Sequence, residues 1–478
     1  MKNDHKITLN DLWWMPAVVP LLLIITSFLM GGWYWGLMDD QTMLSQQGSV
    51  IERTVNLCKW LLSSGRFVPS SCFHWALLYK IFASSPTGFF IFRWFEGVIA
   101  LGIWGFFIID VTGKKWSAWL FIAIAMGFSK LYDGFYYLSI PELLGILLAG
   151  GAILFFFRAV KPSLDEGKNI NWKLAALSLL FVLLSVGAKE TFFVVAAALG
   201  FTTLLFSFKK KNTISFLTLA LGLLFFAGCY ILIVKLFVMR AYSADYQMTN
   251  ISKLLGNMRQ WLQQDLTWHT PWIIISVILL IFGGKPVMQN ASNRFALVLS
   301  ILLYLGYSII LLPWSTGGHY SLPLGIFFAL IITMLIVNQL ERINGKLWSV
   351  IFSAMLCFNI YVSSSAIQWH RSYQIDTKNL VTWIAQNLIF EHDMMNGTVV
   401  RINCSEPGSN IPLMVEKLYG KKYKNFIFTT DVGQVLIDPN TQYYLWGVYW
   451  GNQDLRRLGP RWTPVFISDH WVMLRRMF

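Results

Sequence analysis

The sequence predicts a polytopic α-helical membrane protein with about 11 transmembrane helices and a C-terminal extracytoplasmic α/β domain. Of its 478 residues, 56% are apolar and only 13% are charged, whereas an average globular domain is about 25% charged. The chain also contains 37 Phe, 22 Trp and 18 Tyr residues, and aromatic rings anchor membrane proteins at both interfaces. These values exclude a disordered chain, a collagen-like repeat and a small disulfide-rich protein.

Eleven apolar runs approach the length of about 20 residues that a helix needs to cross the bilayer core. The first run is long and lacks a small-residue cleavage site, so we interpret it as a retained signal anchor. The runs near residues 117, 174 and 271 are short, as expected for helices that end at a recessed cavity or pack against neighbouring helices. The eleven runs cover approximately residues 15–36, 88–110, 117–131, 141–158, 174–188, 191–208, 213–238, 271–284, 295–314, 322–340 and 349–369.

The distribution of basic residues predicts the orientation of these runs. With the N-terminus in the cytoplasm, the short cytoplasmic segments contain 15 Lys and Arg residues, and the longer opposite loops contain nine. Cytoplasmic loops are enriched in Lys and Arg, so we expect the N-terminus inside and the C-terminus outside. Because orientation accounts for much of the net charge of +14, we expect no nucleic-acid partner.

The composition changes after the last run and divides the chain into two parts. We expect a multispanning transmembrane domain at 1–369 and a periplasmic α/β domain at 370–478. In the second part, helical patterns at Lys378–Phe390 and near Asn410–Leu418 separate short β-type runs, which is typical of a small α/β domain. The β-type runs are Thr398–Cys404, Phe426–Thr430, Tyr443–Tyr449 and Pro464–Leu474.

The first outer segment, at about 39–85, mixes aromatic and aliphatic residues with charges. Such a segment is expected to lie in the membrane interface as amphipathic helices, where it is a natural gate for a lipid. The spacing of the five cysteines matches no zinc or redox motif. Cys58 and Cys72 share this segment, and their separation permits a disulfide without requiring one.

Several ionisable residues at the outer ends of the runs are candidates for chemistry, because charge at membrane level is costly and usually functional. Asp39 and Asp40 follow the first run and are either a solvated loop start or a base for an attacking hydroxyl. Arg66 is either a two-bond phosphate ligand or an interfacial arginine with its head in water. Lys189 is either a cation for a phosphate leaving group or a local turn partner of Glu190.

Further polar residues fall on the same side under this topology. Asp133 and Glu142 flank the short outer loop between the third and fourth runs, and His319–Tyr320 follows the ninth. His319 is either a polar residue at a helix end or part of a site. Arg93 and Glu96 lie one turn apart within the second run, and we expect them to form an intramembrane pair that supports packing.

Four features together resemble the GT-C glycosyltransferases. They are the acidic pair Asp39–Asp40, the stretch Gly65-Arg66-Phe67-Val68-Pro69, the Lys189-Glu190 turn and the later turn His319-Tyr320 with Pro323. More narrowly, the chain resembles bacterial serotype-converting glucosyltransferases that decorate O-antigen. In that superfamily the donor is a polyprenyl- or dolichyl-phosphate sugar, and the first outer loop carries the base. Many relatives begin the later turn with Arg-Tyr, and His319 departs from that pattern.

The resemblance implies a GT-C-like fold and an inverting transfer of a sugar, expected to be glucose, from polyprenyl phosphate to a hydroxyl of a surface glycan such as lipopolysaccharide O-antigen. The expected location is the periplasmic face of the bacterial inner membrane. We expect no metal and no cofactor, because a lipid monophosphate donor carries less charge than a diphosphate. Membrane lipid, a lipid-sugar synthase and a flippase are expected partners. The implied base is Asp39 or Asp40, the phosphate ligands are Arg66, Lys189 and His319, and the supporting residues are Glu190, Asp133, Glu142 and Tyr320.

The C-terminal part and the outer segment 240–270 are expected to hold the acceptor. Their tryptophans either stack on sugar faces or pack in a core. Two other function classes stay open: a transporter or flippase for a lipid-linked sugar, although no inverted repeat is visible, and an O-antigen polymerase with a lipid-diphosphate donor. A mere membrane anchor for the tail is disfavoured by the charges at membrane level. The candidate tryptophans are Trp261, Trp268, Trp446 and Trp450.

Overall fold

A computed structural model of the chain describes most of the membrane part and the strands of the C-terminal part. Over the described residues the chain is mainly helical, with one sheet near its C-terminus. The described residues are 9–29, 33–35, 48–63, 65–83, 85–138, 140–207, 213–233, 251–283, 290–312, 318–340, 345–389, 400–404, 411, 414, 426–429, 442–447 and 462–477.

Fourteen α-helices lie within these described ranges, and each predicted apolar run overlaps one of them. They are α1 Met15–Leu29, α2 Val50–Ser63, α3 Pro69–Phe82, α4 Pro86–Thr112, α5 Ser117–Met126, α6 Leu131–Tyr136, α7 Glu142–Glu166, α8 Trp172–Ala188, α9 Phe193–Ser207, α10 Thr213–Ile233, α11 Ile251–Gly283, α12 Ala291–Leu311, α13 Leu322–Leu340 and α14 Gly345–Ile384.

The predicted polytopic membrane architecture is confirmed. Among the described residues, seven helices are long and apolar enough to cross a membrane, and four shorter apolar helices correspond to the other predicted runs. Three of those four are the runs near residues 117, 174 and 271. Of the long helices, α7 and α13 are the most buried, whereas α10 and α14 have the smallest share of buried residues. Helices of this second kind are suited to contact lipid, because their outer surface is apolar as well.

Helix α4 shows how local sequence signals position the site. The Ser85 hydroxyl caps its N-terminus, and Gly113 ends it in the left-handed conformation with φ of 71°, which glycine adopts without steric cost. Inside α4, the predicted pair of Arg93 and Glu96 is confirmed, with 2.8 Å between Arg93 Nη1 and Glu96 Oε2. Arg93 also donates a hydrogen bond to the carbonyl of Ile140. It thereby fixes the backbone just before α7.

The first outer segment contains the helices α2 and α3, which pack against each other. Helix α2 buries Leu57 and Leu61 and leaves the apolar residues Ile51 and Trp60 exposed. Residues 39–47 of this segment lie outside the described residues.

Helix α14 is the link between the membrane part and the C-terminal sheet. It spans 40 residues without interruption, so the predicted domain boundary between 369 and 370 falls inside it. The helical pattern predicted at Lys378–Phe390 is confirmed over its described residues 378–389, which continue α14 and the helical turn Ala385–Ile389 after it. Asp376 on α14 pairs with His470 at 2.8 Å from Nδ1, and Thr377 accepts a 3.1 Å hydrogen bond from the Trp471 indole.

The C-terminal part contains a mixed five-stranded sheet in the order β2-β1-β3-β5-β4. β1 pairs in parallel with β2 and β3, and β5 pairs antiparallel with β3 and β4. The β-type run predicted at Pro464–Leu474 forms two strands rather than one, the hairpin of β4 and β5 around a turn at 468–470. Of the helix predicted near 410–418, only residues 411 and 414 are described. The strands are β1 Val400–Cys404, β2 Phe426–Thr429, β3 Tyr443–Gly447, β4 Trp462–Ile467 and β5 Trp471–Arg476.

Candidate functional site

The centre of the candidate site is a buried ion pair between Lys189 and Glu142. Lys189 Nζ lies 2.6 Å from Glu142 Oε1, and the two side chains are 3% and 0% exposed. Glu142 is the first residue of α7, and Lys189 follows the last residue of α8. A carboxylate near a helix N-terminus and a cation near a helix C-terminus are both favoured by the helix dipoles. The helix ends themselves therefore stabilise this pair.

A second ion pair lies beside the first and joins Arg66 to Glu190. Arg66 Nε is 3.8 Å from Glu190 Oε1, and the same oxygen accepts a 3.0 Å hydrogen bond from the Phe67 amide. Gly65, with φ of 78°, provides the left-handed turn between α2 and α3 that presents Arg66. The alternative of a local Lys189–Glu190 pair is not what the structure has, because each side chain pairs across the fold.

The α2–α3 hairpin is held against the Lys189 turn by a close helix contact. The Ser71 hydroxyl donates a 2.8 Å hydrogen bond to the carbonyl of Ala188, which satisfies one of the free carbonyls at the end of α8. The contact is close at Gly187, where a Cβ atom would lie 2.4 Å from the Ser70 hydroxyl and would force that side chain to move. The hairpin and the turn that carries the two ion pairs thus form one packed unit.

Aromatic hydroxyl residues complete the surroundings of Lys189. Its Nζ lies 4.6 Å from the ring centroid of Tyr320, at a cation–π distance. The Thr191 and Tyr307 hydroxyls are 3.1 Å apart, next to the same turn. The side chain of His319 lies outside the described residues. Sequence reasoning missed Thr191 and Tyr307, although a tyrosine inside an otherwise apolar helix is a usable signal.

The cluster formed by Arg66, Glu142, Lys189, Glu190 and Tyr320 has two cations and two carboxylates. Lys189 lies in the turn between two apolar helices, where burial lowers its pKa and the Glu142 carboxylate opposes that shift. Arg66 lowers the same pKa by repulsion and Glu190 raises it. Arginine and lysine are the usual ligands of phosphate groups. The cluster is therefore chemically suited to bind a phosphate that displaces a carboxylate from one of the cations.

Both members of the acidic pair Asp39–Asp40 lie outside the described residues, but the start of their loop is described. Trp35 is fully buried, and Trp33 stacks on Phe90 with 4.9 Å between ring centroids. The Arg371 guanidinium lies 5.2 Å from the Trp33 ring centroid. The chain that leads into the acidic pair is thus anchored on α4 and α14.

Asp133 makes its described contacts apart from the charged cluster. Its Oδ1 lies 3.1 Å from His370 Nε2 on α14, and Tyr136 stacks on the His370 ring at 5.0 Å with an interplanar angle of 9°. Sequence reasoning missed His370, because nothing in the pattern relates residues 133 and 370. Asp133 thereby ties α6 to the helix that reaches the C-terminal sheet.

The described tryptophans among the acceptor candidates pack against protein. The ring centroids of Trp268 and Phe358 are 6.4 Å apart. Trp446 is 4% exposed and belongs to a small cluster with Tyr444 and Leu474. This burial of Trp446 favours the core-packing alternative. The side chain of Trp261 and all of Trp450 lie outside the described residues. Within the described ranges, no group of three His, Cys, Asp or Glu side chains is arranged to hold a metal ion.

Comparison with known proteins shows which solved structures share this fold. No protein-family model matches the chain, and neither does any curated protein. The crystal structure of ArnT from Cupriavidus metallidurans in the apo state is similar over 96% of this chain and 97% of that chain, with 11% identity and a TM-score of 0.53. The crystal structure of the same ArnT bound to undecaprenyl phosphate gives the same coverage, with 12% identity and a TM-score of 0.49. The chain therefore shares the fold of the apo ArnT structure over nearly its whole length, a polytopic helical bundle followed by a small C-terminal sheet.

Proposed function

We propose that this protein is an inverting glycosyltransferase that moves glucose from a polyprenyl-phosphate carrier to a hydroxyl of a surface glycan such as lipopolysaccharide O-antigen. The proposed location is the periplasmic side of a bacterial inner membrane, with the N-terminus in the cytoplasm. The fold shared with ArnT over nearly the whole chain supports this proposal. A lipid-sugar synthase and a flippase would supply the donor.

The observation that carries the proposal is the convergence of Arg66 and Lys189. They are 123 positions apart in the sequence, yet each forms an ion pair with a member of one cluster. A phosphate that leaves as a monoester anion needs cations more than it needs a general acid, because its oxygens carry the developing charge. Arg66 is 27% exposed on its side chain, so it is the cation that a lipid phosphate would meet first.

The reaction in this proposal is a direct displacement at the anomeric carbon. The acceptor oxygen forms a bond to C1 as the bond between C1 and the phosphate oxygen breaks, and the electron pair leaves with the lipid phosphate. The acceptor proton passes to Asp40 or Asp39, which would act as the general base. Attack opposite the leaving group inverts the configuration at C1.

Replacing each aspartate with asparagine tests the proposal. We expect Asp40→Asn or Asp39→Asn to insert normally and to lose transfer from polyprenyl-phosphate glucose, measured in proteoliposomes. Asp110→Asn is the matched control, because Asp110 pairs with Arg158 at 2.5 Å elsewhere in the bundle and should leave transfer intact. Full activity in both Asp39→Asn and Asp40→Asn would refute the mechanism. Passage of the lipid-linked sugar across the membrane without transfer would indicate a flippase instead.

The acceptor and the sugar require a second measurement. Mass spectrometry of surface polysaccharide from cells with and without the gene should differ by one hexose per repeating unit. A change in chain length with an unmodified repeating unit would favour the polymerase alternative.

A further inference from the structure

The Lys189 turn, residues 189–192 between α8 and α9, sends successive side chains toward different parts of the fold. Lys189 reaches the start of α7, and Glu190 reaches the connection between α2 and α3. Thr191 reaches Tyr307 of α12, and the two hydroxyl oxygens are 3.1 Å apart. Glu190–Phe192 forms one 3-10 turn, in which neighbouring side chains are about 120° apart. Contacts with three different elements therefore set the rotation of this turn.

The contact between Thr191 and Tyr307 lies in the packed interior. The two residues are 5% and 1% exposed, so water competes little for their hydroxyls, and one hydroxyl donates a hydrogen bond to the other. Helix α12 packs closely on α9 here, because a Cβ atom at Gly306 would lie only 2.9 Å from Val194 Cγ1. The ring centroids of Phe192 and Tyr307 are 5.9 Å apart. Packing thus fixes the tyrosine ring, and its hydroxyl holds Thr191.

We propose that Tyr307 is a positioning residue that, through Thr191, orients the Lys189 turn for binding of the donor phosphate. This inference rests on the phosphate-binding role of Arg66 and Lys189 in the proposed function. Without the hydroxyl contact, the turn keeps its ties to α7 and to the α2–α3 hairpin but loses its tie to α12. Lys189 and Glu190 would then occupy a wider range of positions around the phosphate. Tyr307 acts through the turn and not by contact with the donor, because its hydroxyl is bonded to Thr191.

Hydrogen exchange of the full-length protein, measured by mass spectrometry without any ligand, tests the positioning itself. In Tyr307→Phe and Thr191→Val, peptides that cover residues 188–195 should exchange about 3- to 10-fold faster, because the turn opens more often when one hydrogen bond is lost. Thr191→Ser keeps a hydroxyl and should exchange as the wild type does. Unchanged exchange of these peptides in both Tyr307→Phe and Thr191→Val would overturn the proposal.

Tyr132→Phe is the matched control for the loss of a buried tyrosine hydroxyl. Tyr132 is fully buried, and its hydroxyl donates a 3.3 Å hydrogen bond to the carbonyl of Met126. This variant should leave exchange at residues 188–195 unchanged. Faster exchange there in Tyr132→Phe would show a general loosening of the bundle and would contradict a specific role of Tyr307.

Binding of undecaprenyl phosphate in detergent micelles, followed by native mass spectrometry, tests the consequence for the phosphate. Tyr307→Phe and Thr191→Val should each weaken binding about 3- to 10-fold, as expected for the loss of one neutral hydrogen bond. The double variant should bind no more weakly than either single variant, because both substitutions remove the same contact. Wild-type affinity in Tyr307→Phe, or losses that add in the double variant, would overturn the proposal.

The transfer assay separates positioning from a general structural role. Tyr307→Phe should raise the donor KM by a similar factor and leave the acceptor KM unchanged, whereas damage to the whole fold would change both. An equal rise of the two KM values would therefore contradict the positioning role. If the wild-type protein transfers no sugar, the proposed function fails, but hydrogen exchange still tests whether Tyr307 holds the Lys189 turn. The two proposals therefore fail separately.

Discussion

Replacing Lys189 with methionine distinguishes a structural ion pair from a phosphate-binding cation. The substitution removes the charge, keeps most of the side-chain length and leaves the Glu142 carboxylate buried without its 2.6 Å partner. Loss of one partner from a buried pair costs about 3–5 kcal/mol of unfolding free energy. Coulomb's law gives a similar value, about 4 kcal/mol for unit charges ~4 Å apart at an effective dielectric constant of about 20.

The double variant separates the two roles. Glu142→Gln removes the second charge, so Lys189→Met combined with Glu142→Gln should regain most of the lost unfolding free energy. If Lys189 also binds the donor phosphate, the double variant should still transfer sugar poorly. Lys168→Met is the matched control, because Lys168 and Glu166 form a surface pair that is 69% and 56% exposed. Such pairs contribute only about 0–1 kcal/mol.

The assay combines unfolding in mixed detergent micelles, followed by tryptophan fluorescence, with sugar transfer in proteoliposomes. Wild-type transfer by the double variant would refute the role of Lys189 in phosphate binding. Wild-type stability of both single variants would refute the statement that the buried pair holds α7 and α8 together. Transfer is compared at a temperature where every variant is folded, so that loss of stability is not read as loss of chemistry.

Three further predictions concern the same site and its orientation. Arg66→Ala should raise the donor KM about 10- to 100-fold, since a hydrogen bond to a charged group contributes about 1.5–3 kcal/mol. In the same transfer assay, Arg66→Lys should raise the donor KM less than Arg66→Ala does. The lowered pKa of Lys189 means that its charge is lost at a lower pH than that of an ordinary lysine. The alkaline fall of the pH–rate profile should therefore move to higher pH in Lys189→Arg. An unchanged profile would contradict the assignment of this fall to Lys189. A cysteine at the exposed position Asp469, in a cysteine-free background, should react with an impermeant maleimide in intact spheroplasts, and protection there would place the C-terminal sheet inside the cell.

The helices of the bundle could be predicted because lipid and a packed apolar core require the same property of each span. Every apolar run has its helix, and the short runs near 117, 174 and 271 are short helices as well. The end of α14 could not be predicted from hydropathy. Its apolar character stops near 369, but the helix continues, because Asp376 and Thr377 bind residues of β5 and the turn before it.

The errors at the C-terminus have a similar physical origin. Pro464–Leu474 consists of two apolar runs, and only the polar residues Ser468, Asp469 and His470 between them indicate the turn. That turn forms because the Ser468 amide donates a 2.8 Å hydrogen bond to the Trp471 carbonyl, and His470 is held by Asp376 of α14. A sequence pattern reflects the structural propensity of its own segment. It does not reveal a contact with a distant helix such as α14.

The members of the charged cluster could be predicted, but their partners could not. Residue type and sidedness are enough to identify Arg66, Glu142, Lys189, Glu190 and Tyr320 as candidates. The adjacent charges in the sequence suggest that Lys189 pairs with Glu190. The observed partner of Lys189 is Glu142, 47 residues away. The start of α7 lies beside the end of α8, and both helix dipoles favour an ion pair between these two residues. Pairing across helix ends depends on tertiary packing, which no local spacing encodes.

If the cluster binds the donor phosphate as proposed, its charge balance favours one of the two cations as the first phosphate ligand. Two cations and two carboxylates leave no net charge for an incoming phosphate, so one cation must exchange its carboxylate for the phosphate. The Lys189–Glu142 contact is short and buried, whereas Arg66 and Glu190 are 3.8 Å apart and partly exposed. Separating the looser and more solvated pair costs less, since water already screens it. Glu190→Gln keeps a hydrogen-bond acceptor for the Phe67 amide but removes the charge that competes with the phosphate. This variant should therefore lower the donor KM. Glu142→Gln should instead reduce the unfolding free energy. A donor KM that rises in Glu190→Gln would show that Glu190 orients Arg66 for the phosphate and does not compete with it.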